Sequence, residues 1–80
     1  MILDFNFNSL ILLMVTKYLE KLLSHCSDPS FSLSDPKVVD AARDFAPYYH
    51  QAYDELRTRL YEKLNETDAE NLMMMIRNME

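Results

Sequence analysis

No glycine occurs anywhere in the 80 residues. Average usage is about 7%, so a chain of this length would ordinarily carry about five or six. Glycine supplies the positive-φ positions of hairpin turns, phosphate-cradling loops and strained nucleophile turns. A chain without it has to be closed by connections that any residue can make, and amphipathic helices joined by local loops meet that condition. Dinucleotide-binding folds, P-loops and tight β-meanders are disfavoured together.

The length predicts a single domain. An apolar fraction of 49% with 26% charged residues lies away from the composition of disordered segments. The 13 acidic and 8 basic residues give a formal charge of −5, and the basic ones are interleaved with carboxylates. Direct nucleic-acid binding needs a basic footprint to neutralise phosphates, and none is present. An acidic surface that mimics nucleic acid is an alternative reading of the same charge. Cys26 is the single cysteine, which excludes an internal disulfide. The N-terminus also lacks the basic start and small-residue cleavage site of a secretory signal, so a cytoplasmic location is expected. The longest apolar run, residues 10–15, is far short of the roughly 20 residues of a membrane span.

Along the chain, Leu3, Phe5 and Phe7 alternate with Asp4, Asn6 and Asn8 in the period of extended backbone. Residues 1–8 are therefore expected to form an extended arm whose aromatic face packs on a helix or a partner. An apolar pattern over residues 9–26 predicts a first helix. Its N-terminal half is apolar almost all round, and on that account should be the more deeply buried half. Residues 27–35 are polar, with Phe31 and Leu33 as pins to the core. Asp35 followed by Pro36 reads as an N-cap with proline at the first helical position. Val39, Ala42, Ala46, Tyr49, Tyr53, Leu56 and Leu60 then keep alternating spacings of three and four across Pro47. This predicts one long helix over residues 36–65, kinked near 43–46, with a true break as the alternative. Thr67 and Glu70 read as a capping box opening a Met-rich helix over residues 68–79. The expected fold is all-α: a small three- or four-helix bundle in which the first helix lies antiparallel to the kinked one and a short C-terminal helix closes it.

Candidate chemistry is sparse. Adjacent helical residues point about 100° apart, so His25 and Cys26 cannot both face one ion, and no Cys-x-x-Cys or Glu-x-x-His spacing occurs. No metal or other cofactor is expected. His50 and Asp54, in a cluster with Tyr48, Tyr49 and Tyr53, stand four apart and would share a helical face; such a pair is more often a surface contact, and a bundle of 80 residues has little room for a water-excluding pocket, so no catalytic site is expected. Tyrosine, arginine and methionine are favoured at protein interfaces. The candidate interaction residues are Phe5, Phe7, Tyr48, Tyr49, Tyr53, Arg57, Met75 and Met79. With few residues to cover the apolar faces, a two-fold homodimer is expected, together with a protein partner.

The segment from Leu33 through Ser34, Asp35, Pro36, Lys37, Val38, Val39 and Asp40 to Ala41 and Ala42 resembles the start of the second helix in the small helical-hairpin aspartyl-phosphate phosphatases of sporulation signalling. That family's serine, glutamine and aspartate fall near Ala42, Arg43 and Ala46, so the resemblance implies a helical regulator without the phosphatase chemistry. In size and helix pattern the chain is also similar to small bacteriocin-immunity proteins. The function expected is a non-enzymatic protein–protein interaction module, a small regulator or inhibitor acting as a homo-oligomer.

Overall fold

A computed structural model describes the backbone of residues 2–79 and the side chains of residues 10–79. Four α-helices, α1 (Ile2–Cys26), α2 (Pro36–Phe45), α3 (Tyr53–Lys63) and α4 (Glu66–Asn78), are joined by loops and by a 3-10 turn at Ala46–Tyr48. No strand occurs among the described residues, and the fold is all-α.

Helix α1 begins at Ile2, so residues 2–8 are helical and the expected extended arm is not formed. An isolated extended segment has no neighbouring strand to satisfy its backbone donors and acceptors, whereas a helix satisfies them internally. The two arm residues singled out for their aromatic side chains, Phe5 and Phe7, lie outside the residues whose side chains are described.

The loop after α1 is held by short polar contacts. Asp28 Oδ1 accepts from the Ser30 amide at 2.9 Å and from the Ser30 hydroxyl at 2.8 Å, and the Ser32 and Ser34 hydroxyls lie 2.9 Å apart. These two backbone and side-chain donors hold the Asp28 carboxyl below its ordinary value. Phe31 and Leu33 pack against the core, as the sequence predicts. Asp35 then caps α2, its Oδ1 accepting from the Lys37 amide at 3.0 Å, with Pro36 in the first turn.

The long helix expected over residues 36–65 is broken rather than kinked. Pro47 offers no N–H, and in a continued α-helix its ring would crowd the Arg43 carbonyl. The Ala46 amide donates instead to the Ala42 and Arg43 carbonyls, and the backbone tightens into the 3-10 turn. A further turn ends at Ala52 (φ −121°, ψ 25°) before α3 starts. Helix α4 also starts earlier than expected. Its N-cap is Asn65, whose Oδ1 accepts from the Asp68 amide at 2.8 Å while its Nδ2 donates to Asp68 Oδ2 at 3.2 Å. The Thr67–Glu70 box is not used as the cap.

Contacts fix the directions of the helices. Lys21 Nζ lies 3.7 Å from Asp44 Oδ2 and Tyr18 stacks on Tyr48, so the chain runs down past α2 as it runs up α1: the two are antiparallel. Arg59 of α3 donates to Glu20 of α1 at 3.4 Å, while Ala52 and Glu55 border Val15 and Thr16, so α3 runs parallel to α1. The Tyr61 hydroxyl donates to the Glu70 carboxylate and Tyr53 borders Arg77, so α4 returns antiparallel to α3. Helix α1 packs on α2 and α3, and α4 packs on those same two helices from the other side.

The core is apolar throughout, with Leu22, Phe45, Leu56, Leu60, Leu72 and Ile76 among its fully buried side chains and no buried polar or charged residue among those described. It surrounds the C-terminal half of α1 only. Helix α1 has 25 residues and is about 37 Å long, against about 15 Å for α2 and about 16 Å for α3. The molecule is accordingly elongated, 44 × 22 × 21 Å. The N-terminal half of α1 extends beyond its neighbours, the reverse of the burial order expected. Leu12 is 68% exposed, while Leu19, one heptad later on the same side of the helix, is 3% exposed.

Candidate functional site

Two surface features meet at one end of the bundle, where α1 projects, α2 ends, α3 begins and α4 finishes. The first is the projecting part of α1. Leu10, Leu12 and Leu13 are exposed, and Ile11, Met14 and Val15 are half-buried. Below them, Ile11, Leu12, Val15 and Thr16 form one wall of a cleft of about 290 Å³ closed by Gln51, Ala52 and Glu55. The cleft lies where the bundle stops and the helix continues.

The second feature is aromatic. Tyr49 is almost fully buried at 6% exposure and holds the centre of the cluster. Its ring meets those of His50 and Tyr53 edge to face, at 5.4 and 5.5 Å between centroids, an arrangement that matches positive ring edges to negative ring faces. Beside it, Tyr49, His50, Tyr53 and Arg77 line an open cleft of about 290 Å³. A neighbouring depression of about 120 Å³ adds Glu70, Met73 and Met74. Met74 is well exposed, so the outer rim of α4 carries a soft apolar side chain next to a guanidinium.

The candidate interaction residues separate on this frame. Tyr48 is half-buried, its ring stacked on Tyr18 at 5.8 Å and 18° and its hydroxyl directed to the Met14 sulfur at 3.9 Å. Tyr49 is core. Tyr53 is 38% exposed and is the tyrosine of the pair that faces outward. Arg57 lies over the Tyr61 ring at 4.7 Å, a cation–π contact on the outside of α3. Met75 and Met79 are half-buried and pack against the core, while Met74 takes the exposed position. The surface residues that sequence reasoning missed are Leu10, Leu12 and Leu13. Their apolar character reads as core, because composition shows that a side chain needs cover without showing whether this chain supplies it.

The remaining chemistry is limited. His50 lies in the turn before α3, so the helical spacing expected to place it beside Asp54 does not apply. Among the described residues, no group of three His, Cys, Asp or Glu side chains is placed to hold a metal ion. Cys26 is buried, and burial pushes its thiol up to about 11, which keeps it protonated near neutral pH and makes it a poor nucleophile and ligand. No helix is long and apolar enough to cross a membrane among the described residues. Comparison with protein-family models, with curated proteins and with solved structures gives no match.

Proposed function

We propose that this chain is a non-enzymatic protein–protein interaction module, a small regulator or inhibitor that works as a homo-oligomer and docks a protein partner through the end of the bundle. The observation that carries the reading is the exposure of three leucines on a projecting helix. Large apolar side chains clustered at a surface mark an interaction site far more often than a solvent face. The adjoining Tyr53, Met74 and Arg77 are of the residue types that concentrate binding energy at interfaces.

The test is a light-scattering mass across a dilution series, with turnover assays on simple phosphate and carboxylate esters run on the same preparation. A mass above that of the monomer at micromolar concentration, without turnover, is the expected result. A strict monomer that hydrolyses one of these esters, and loses that rate on His50→Ala, would overturn the proposal.

A further inference from the structure

We infer that the projecting half of α1 is a dimerisation arm, covered by the same segment of a second copy running antiparallel to it about a two-fold axis. This rests on the reading of the chain as a homo-oligomeric module and specifies how the copies meet.

The first support is the seam of α1. Leu12, Val15, Leu19, Leu22 and Cys26 follow one another at alternating spacings of three and four, the repeat that places side chains along one line of a helix–helix contact. Leu19, Leu22 and Cys26 are buried, Val15 is half-buried and Leu12 is exposed. The line made for a neighbouring helix therefore runs on past the point where this chain provides one. At about 100° per residue, Leu12, Leu13 and Leu10 spread over roughly 160° of the helix circumference, wider than one intramolecular neighbour would cover.

The second support is charge, which selects the occupant. Residues 5–16 contain no Asp, Glu, Lys or Arg, the longest such stretch in the sequence. Two copies carrying −5 each repel one another when their carboxylates approach, and residues 5–16 let them touch along a stretch without that opposition. A two-fold pair is self-complementary by construction, so an uncharged segment that exposes Leu10, Leu12 and Leu13 meets its own equivalent.

The test uses the full chain and the double variant Leu12→Glu with Leu13→Glu, both at exposed positions, with helicity checked by circular dichroism. The wild type is expected to dimerise and the variant to weaken the dimer by about a hundredfold or more. A dimer of unchanged affinity in the variant overturns the arm while leaving the homo-oligomeric module intact. A wild type that stays monomeric at all concentrations overturns both. Geometry is read separately from spin labels on Leu10→Cys and Ser24→Cys in a Cys26→Ala background. An antiparallel pair of arms places the first labels within about 20 Å of each other and the second more than about 40 Å apart. Short distances at both positions would instead show copies side by side and overturn the proposal. So would a monomer that binds neutral phosphatidylcholine vesicles and loses that binding in the variant, since the occupant would then be lipid.

Discussion

Tyr49 and Tyr53 share a ring contact and stand four apart in sequence, yet one is core and the other faces water. Their periodicity is the same. What separates them is the end of the bundle: Tyr49 lies in the turn that folds back under α4, and Tyr53 opens α3 at its rim. Cys26 provides a test at this scale. Its thiol is raised by burial from 9.0 to about 11, so both folded and unfolded chains hold the proton below about pH 9, and this contribution to stability is fully present there. Between 9.0 and about 11 the unfolded chain releases its proton first, and stability falls as pH rises. The denaturation midpoint of the wild type is expected to drop more between pH about 8 and about 10 than that of Cys26→Ala. An identical drop in both would show that the folded thiol titrates normally. Caps were unevenly legible: Asp35 announces itself because a proline follows it, while Asn65 is hidden by the more conspicuous Thr67 and Glu70, which lie inside the first turns of α4.

At the scale of the element, the turn around Pro47 explains why a break and a kink cannot be told apart from the sequence. Ala46 and Tyr49 keep helical angles, at φ −51°, ψ −41° and φ −54°, ψ −50°, but Ala52, at φ −121°, ψ 25°, does not, and the chain reverses between α2 and α3. The spacing of apolar residues reports which side chains need cover and is blind to that reversal. Pro47→Ala is expected to lower stability by about 0.4–1 kcal/mol, chiefly by giving the unfolded chain more freedom at a position the turn already suits. Urea denaturation measures this, and a stabilised variant would mean that the proline strains the turn. The alternation over residues 3–8 misleads for a related reason. A period of two marks a strand only where another strand pairs with it, and the helical backbone from Ile2 satisfies its polar groups without one.

For the whole molecule, the all-helical class follows directly from composition and stripe spacing, whereas of the helix expected antiparallel to α1 over residues 36–65 only the α2 part runs that way, and α3 runs parallel to α1. The position of the exposed leucines does not follow either, because hydrophobicity states a demand for cover and the length of the neighbouring helices decides where it is met. If the arm is filled by a second copy, thermal stability depends on protein concentration, since association draws the equilibrium towards the folded state. The melting temperature is expected to rise by a few degrees per tenfold increase in concentration, and to be constant in the Leu12→Glu, Leu13→Glu variant. A constant melting temperature in the wild type would place folding and association in separate steps. The absence of glycine has its own consequence at this scale. No described residue adopts a positive φ, so no turn of the fold requires one particular amino acid. Outside the apolar core, the caps and Pro47, descendants of such a chain can change almost every letter while keeping the same shape, and kinship would then persist in helix lengths and packing order after it has faded from the residues.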